Sequence, residues 1–215
     1  MRMVHSQEKE RTRAIRNDRE YRVRGEFEVR DDEGKNYMVE GYASTFQPYE
    51  MMEIDGEKFY ERIDPHAFDE ADMSDVVFLR DHTGRVLGRT KNGAVELSID
   101  ERGLHQRTNL GLTEASREMY EDIKAGNYTQ MSFSFITDED HFDKPTRTRV
   151  IDRIKKVFDI SAVSFPANPG TDIGISYRDY FNGVIEMEKA ERLEAEKREN
   201  DRKRLELRMK LERNK

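Results

Sequence analysis

The C-terminal segment restricts the possible folds most strongly. From about Asp179 onward the chain is mainly Glu, Lys, Arg, Leu and Met, and no glycine or proline follows Gly183. Such a run favours one long exposed helix, because these residues have high helix propensity and nothing interrupts them. Its apolar positions are too sparse to predict a coiled coil. We therefore assign residues 178–215 to a charged helical tail, and the hydrophobic core has to come from earlier residues.

Composition points to a second extension at the other end. Only 35% of the 215 residues are hydrophobic and 39% are charged, so part of the chain has to lie outside the core. Residues 1–20 contain more Arg and Lys than Asp and Glu and show no apolar period. We interpret them as a charged N-terminal arm. One globular domain is then expected over residues 21–177.

Several classes of protein are disfavoured. The absence of cysteine excludes disulfides, a thiolate nucleophile and Cys-ligated zinc, and it suits a reducing cytosol. With a net charge of −7 and no uniform basic surface, direct nucleic-acid binding is not expected. No apolar run approaches the ~20 residues that cross a bilayer, and the N-terminus lacks the apolar stretch of a signal peptide. We expect a soluble intracellular protein without a membrane partner.

Alternating apolar and polar residues predict a mainly β domain with helices, of the α+β class. Thr113 is a plausible N-cap for a helix to about Lys124. The stretch 47–74 is predicted to be mostly loop, and 137–148 a polar linker. Predicted strands lie at 21–29 and 37–46 (a hairpin around a turn at 31–34), 76–80, 94–99 and 104–110 (a second hairpin), 129–136 and 149–165.

Two serines on one predicted strand are candidate nucleophiles. In the run Met-Ser-Phe-Ser-Phe at 131–135, the period of two puts Ser132 and Ser134 on one face and the aromatic rings on the other. A serine held on a rigid strand suits a nucleophile, but only beside a base. A pair of polar residues on an edge strand is the alternative.

His82 directly follows a predicted strand and precedes Thr-Gly, so its ring is expected at a strand end. An ordinary surface histidine is the alternative interpretation. The other histidines have no better context. They are His5, His66, His105 and His141.

Asp159 stands at the head of an apolar strand. A buried carboxylate is costly without a partner, and an imidazolium is one candidate. A salt bridge with Lys155 or Lys156 is the other.

Three blocks of sequence resemble the prohead proteases of tailed phages, which share a fold with the herpesvirus capsid assembly protease. Residues 77–82 with Gly84 and 87–89 are similar to the family's strand, catalytic histidine and Leu-Gly-Arg element. Residues 131–135 are similar to the block with its nucleophilic serine, and 159–169 to its acid-Val-Ser-x-Val-x-x-Pro-Ala-Asn-Pro signature. The blocks occur in the family's order.

The resemblance implies a serine endopeptidase with Ser132 as nucleophile, His82 as base and Asp159 as the third catalytic residue, without a cofactor or metal. It also implies a small β-barrel-like core of the herpesvirus assemblin type. The implied substrates are the scaffolding part of the major capsid protein and the protease itself, cleaved inside the assembling prohead in the host cytoplasm. A homo-oligomer is possible.

This chain departs from the family pattern at two positions, and two other functions stay open. Ser134 stands where the family commonly has glycine, and Asp159 where it commonly has glutamate. The main alternative function is a non-catalytic scaffold or assembly protein of the prohead. A serine esterase is disfavoured because the chain has no Gly-x-Ser-x-Gly motif.

Overall fold

The computed structural model describes residues 19–30, 37–164 and 172–213, which form eleven strands, two α-helices and one short 3-10 helix. Residues 1–18 of the predicted arm and the predicted turn at 31–34 lie outside the described residues. The contacts divide the chain into two units, Met1–Ile175 and Ser176–Lys215.

The larger sheet contains seven of the described strands. Its main path is β1 (Glu20–Glu26), β10 (Gln130–Asp143), β11 (Thr148–Val163), β5 (Glu57–Ile63) and β4 (Tyr49–Ile54), and a branch adds β6 (Val77–Arg80) and β7 (Thr83–Arg89). The long strand β11 organises this sheet: it pairs in parallel with β5 through its first half and with β6 through its second half. The last residues of β6 are thereby brought beside the last residues of β11.

The smaller sheet is antiparallel. In the described residues its order is β2 (Glu28–Arg30), β3 (Met38–Thr45), β9 (Gly103–Asn109) and β8 (Val95–Ile99), and the 3-10 helix Thr90–Asn92 leads into it. The core cluster draws side chains from both sheets, among them Val39 and Leu104 from the smaller sheet and Phe133 and Ile160 from the larger. The site described below therefore rests on a well-packed base.

The two helices differ in their role. The shorter, α1, spans Glu114–Lys124; Thr113 caps it as predicted, by accepting a hydrogen bond from the backbone N–H of Ser116, and it buries one apolar face. The longer, α2, spans Asp172–Arg213 and begins earlier than predicted. Its exposed length is stabilised by ion pairs between residues four apart, at Arg198–Glu194 and Lys203–Glu199. Neither helix is long and apolar enough to cross a membrane.

The mainly β class with helices, including a long C-terminal helix, is confirmed. The barrel-like core implied by the resemblance is not shown, because the described strands form two open sheets.

Two local predictions were wrong. Most of the loop predicted at 47–74 is a hairpin, β4–β5, whose turn residues Asp55 and Gly56 have positive φ angles of 52° and 82°. Asp-Gly is a strong hairpin signal. Most of the linker predicted at 137–148 is strand, because β10 continues to Asp143.

Candidate active site

Strand β10 presents Ser132 and Ser134 on one face, as the alternation predicts. On the opposite face Phe133 and Phe135 are buried and stacked, with ring centroids 4.7 Å apart. Across the antiparallel ladder, Ser132 lies opposite Ser161, and Ser134 lies opposite Asp159. All four side chains of this polar face are fully buried. The strand is therefore anchored by its aromatic side while its polar side meets the polar side of β11.

His82 lies in the two-residue turn between β6 and β7. Both turn residues have positive φ angles, 47° at Asp81 and 58° at His82, as a type I′ hairpin turn requires. Among residues other than glycine, Asp and His adopt this conformation relatively readily. The Asp81 backbone N–H donates to the carbonyl of Ala162 at 2.9 Å, and the Asp81 carboxylate accepts from the backbone N–H of Ser164 at 3.0 Å. These two bonds tie the turn to the last residues of β11 and to Ser164, which directly follows it, and so fix the position of the histidine.

The structure brings together the three residues that the sequence analysis singled out. His82 Nε2 lies 2.6 Å from Ser132 Oγ, and His82 Nδ1 lies 2.6 Å from Asp159 Oδ1. With the Nδ1 proton donated to the carboxylate, Nε2 is left as the acceptor for the serine hydroxyl. A serine, an imidazole and a carboxylate in this order form the hydrogen-bond chain of an activated serine nucleophile.

Asp159 is a saturated acceptor. Its Oδ1 receives the His82 ring and, at 2.7 Å, the hydroxyl of Ser161; its Oδ2 receives the Ser134 hydroxyl and the guanidinium of Arg19. Burial raises the pKa of Asp159, but hydrogen bonds and charge from His82, with hydrogen bonds from Ser134 and Ser161, outweigh burial and hold the pKa below its usual range. The buried carboxylate therefore stays ionised at neutral pH.

The family model for caudovirus prohead serine proteases matches residues 25–184. The chain belongs to this family. Comparison with curated proteins and with solved structures gave no match. The match covers the β6–β7 turn that holds His82 and the strands β10 and β11 that carry Ser132 and Asp159.

The two lysines that were alternative partners for Asp159 do not pair with it. Lys156 pairs with Asp72 at 2.7 Å. The carboxylate instead meets the imidazole, one of the two possibilities that the sequence left open. Within the described residues, Lys155 forms no hydrogen bond or ion pair with Asp159.

The other histidines lie away from the serines in the described residues. His66 contacts Asp69, His141 contacts Asp152, and the ring of His105 packs against Tyr42. His5 lies outside the described residues. Among the described histidines, His82 alone contacts a serine of β10.

Sequence reasoning missed three residues that border this site. Ser161 bridges the site, because its hydroxyl donates to Asp159 and accepts from the backbone N–H of His82 at 3.2 Å. Tyr21 packs edge-on against the His82 ring, with centroids 4.6 Å apart, and Arg19 reaches Asp159. The two-residue spacing from Asp159 could have indicated Ser161, whereas nothing local pointed to Arg19 or Tyr21.

Proposed function

We propose that this protein is the maturation endopeptidase of the prohead, with Ser132 as nucleophile, His82 as general base and Asp159 as the acid that orients the histidine. The hydrogen-bond chain from Ser132 through His82 to Asp159 is the observation that supports it best. Membership of the prohead serine proteases supports the same reaction class.

In the proposed reaction Ser132 Oγ attacks the carbonyl carbon of a peptide bond while His82 Nε2 takes its proton. The imidazolium then gives that proton to the leaving amine, and an acyl-enzyme forms on Ser132. Water, deprotonated by His82, attacks the acyl carbon and releases the new C-terminus and the serine. Asp159 keeps the imidazole in the required tautomer and stabilises its charged form.

The substrates we propose are the scaffolding segment of the major capsid protein and the protease itself, cleaved within the assembling prohead in the host cytoplasm. Confinement with the substrate raises the effective concentration, so modest affinity for each cleavage site suffices.

Substrate access requires a rearrangement around the nucleophile. Ser132 is 0% exposed, and the His82 side chain is 16% exposed. A peptide carbonyl has to reach within bonding distance of Ser132 Oγ, so the residues that enclose this hydroxyl have to move before cleavage. We propose that the described conformation is a closed state of the protease.

Co-expression with the phage's major capsid protein tests the proposal. Wild type, Ser132→Ala and His82→Ala are compared, and the mass of the capsid subunit is measured in assembled shells. We expect trimmed subunits with wild type and intact subunits with both variants. A Ser98→Ala variant, which changes an exposed serine on β8, is the matched control and should trim like wild type.

Two results would contradict the proposal. If all four proteins give the same uncut subunit in well-formed shells, the protein acts as a scaffold. If Ser132→Ala still trims the subunit, the nucleophile is a different residue.

A further inference from the structure

The two oxygens of the Asp159 carboxylate have different surroundings. Oδ1 faces the His82 ring and the Ser161 hydroxyl. Oδ2 accepts hydrogen bonds from Ser134 and Arg19, whereas the hydrogen bond from His82 goes to Oδ1. A carboxylate turns easily about its terminal torsion, whose energy wells are broad. The contacts on Oδ2, together with the Ser161 hydroxyl on Oδ1, therefore keep Oδ1 aimed at the imidazole.

We infer that Ser134 is a positioning residue, which anchors Oδ2 of Asp159 and thereby holds Oδ1 on the ring of His82. This inference rests on the proposed function, in which His82 needs an oriented acid. It gives the second serine of β10 a role that is distinct from that of the nucleophile.

The hydrogen bonds of Ser134 identify it as a support and not as a second nucleophile. Its hydroxyl donates to Asp159 Oδ2, and its oxygen accepts two bonds from Arg19, at 2.8 and 3.0 Å. The imidazole nitrogen that accepts a serine proton, Nε2 of His82, lies against Ser132. A hydroxyl whose proton is committed to a carboxylate has none to give to the base.

Of the two groups on Oδ2, Ser134 is the better anchor. It is fully buried on β10, which is paired on both sides, and it lies directly opposite Asp159 in the ladder, so its position is fixed by backbone pairing. The side chain of Arg19 is 37% exposed and precedes the first residue of β1. A long, partly solvated side chain loses more entropy when it is held in one place. Arg19 thus adds charge, while Ser134 fixes geometry.

Histidine NMR provides a test that does not depend on catalysis. The Nδ1 proton of His82, held in the bond to Asp159, should give a protected, far-downfield resonance in wild type. In Ser134→Ala we expect this proton to exchange with water at least about tenfold faster, because a hydrogen bond to a charged acceptor has been removed next to it. Ser116→Ala is the matched control: it also removes a buried hydroxyl, but one bonded to the carbonyl of Leu87.

Reaction of Ser132 with a fluorophosphonate probe provides the second readout. We expect Ser134→Ala to lower the second-order rate constant by about tenfold to a hundredfold. Ser116→Ala should keep the wild-type rate constant even where it lowers the melting temperature.

A double variant tests the geometry directly. Glutamate at position 159 adds one methylene and pushes the carboxylate into the space of the Ser134 side chain, because the two residues are ladder partners. Asp159→Glu and Ser134→Gly should each reduce the reaction rate, whereas the combined variant should recover at least about tenfold over the product of the two single effects.

Three outcomes would overturn the inference. They are unchanged Nδ1 proton exchange in Ser134→Ala, strictly multiplicative effects in the double variant, and a larger loss of rate in Arg19→Gln than in Ser134→Ala. Failure of the proposed function looks different. If wild type neither labels at Ser132 nor trims capsid protein, while Ser134→Ala still frees the Nδ1 proton, the peptidase proposal fails and the positioning role stands.

Discussion

Ser132 and Ser134 carry the same hydroxyl on the same face of β10, yet their neighbours differ. Ser132 faces the imidazole of His82, and Ser134 faces the carboxylate of Asp159. A hydroxyl next to a neutral imidazole nitrogen becomes a better nucleophile, whereas one next to a carboxylate becomes a donor to it. Two serines that lie two residues apart on one strand therefore have different proposed roles: Ser132 is the nucleophile, and Ser134 positions the carboxylate.

Asp159→Asn should retain the fold and lose most of the activity. Asparagine fills the same volume, but its amide gives His82 Nδ1 a weaker acceptor and can favour the wrong tautomer of the ring. The same change in a chymotrypsin-type Ser-His-Asp arrangement lowers the rate by about four orders of magnitude, and we expect at least about a thousandfold here. The measurement is the rate of probe reaction at Ser132.

Circular dichroism and thermal unfolding of Asp159→Asn provide the control, because a folded variant is needed to interpret its rate. A folded variant that reacts at the wild-type rate would remove Asp159 from the mechanism.

The conformation of the β6–β7 turn determines where the proposed base, His82, lies. Asp81 combines a positive φ angle with two hydrogen bonds: its backbone N–H donates to Ala162 on β11, and its carboxylate accepts from the backbone N–H of Ser164, just after β11. We expect Asp81→Ala to lose about 1–3 kcal/mol of unfolding free energy, because alanine tolerates this conformation poorly and cannot accept from Ser164. Asp81→Asn keeps both properties and should stay within about 0.5 kcal/mol of wild type.

Urea unfolding of the two Asp81 variants measures this difference, and the probe reaction at Ser132 should fall in the same order. Equal stability of Asp81→Ala and Asp81→Asn would show that neither the turn conformation nor the carboxylate contact matters.

Strand β1 has a second face, which contributes to a buried ion network. Glu20 and Arg22, which alternate with the residues that border the candidate active site, are joined to Glu61 on β5 and to Arg149 on β11. Arg149 and Glu61 are fully buried. Burying these charges removes their hydration, which costs free energy, so the network stabilises the fold only while every charge is paired.

The network predicts sensitivity to acid. Burial raises the pKa of Glu20, but the charges and hydrogen bonds of Arg149, the charge of Arg22 and a bond from Thr137 outweigh it and lower the pKa to about 2. A carboxyl with a lowered folded-state pKa contributes stability above its unfolded pKa of about 4.5, and this contribution is lost as the pH falls toward 2. We expect about 3 kcal/mol to be lost across this window.

Chemical unfolding at several pH values, with Glu20→Gln as the variant, measures this effect. Glu20→Gln should be about 3–5 kcal/mol less stable at neutral pH, because it leaves buried arginines underpaired, and its stability should fall less steeply between pH 4.5 and 2. Glu50→Gln removes an exposed carboxylate paired with Lys58 and serves as the control. An acid slope in Glu20→Gln as steep as that of wild type would contradict the network explanation.

Local sequence signals predicted part of the fold, for physical reasons. Helix α1 and the β8–β9 hairpin follow from a cap, a turn and a period, which act within a few residues. The β4–β5 hairpin was missed because its glutamates and methionines do not follow a clear alternation of apolar and polar residues. Its Asp-Gly turn was nevertheless visible in the sequence. The continuation of β10 was missed because its last residues are polar and are held by pairing with β11.

At the scale of the molecule, the candidate site depends on contacts between distant segments. His82 is separated from Ser132 by 50 residues and from Asp159 by 77. Their meeting results from the parallel pairing of β6 with β11 and the antiparallel pairing of β11 with β10, and no local pattern encodes either register. The sequence indicated these residues one by one and through family resemblance. Arg19, Tyr21 and the role of Ser134 became visible only in the folded chain.

The long helix α2 is expected to serve assembly more than folding. Its residues from 191 to 212 are exposed, and its ion pairs join residues four apart within the helix. Apolar side chains on it are also solvated, such as Leu193 and Leu211, each 67% exposed. A chain ending at Ala190 should therefore melt within about 2 °C of the full chain and react equally fast with the probe at Ser132.

In co-expression with capsid protein, the chain ending at Ala190 should be depleted from proheads, and trimming should fall with it. Full-length Ser132→Ala is the complementary control, because it keeps the helix and removes the proposed nucleophile, so it should enter proheads without trimming them. Protein composition of purified proheads and subunit mass measure the two effects separately. If the shortened chain enters and trims like wild type, the exposed helix has no part in retention, because recruitment then depends on residues before 191.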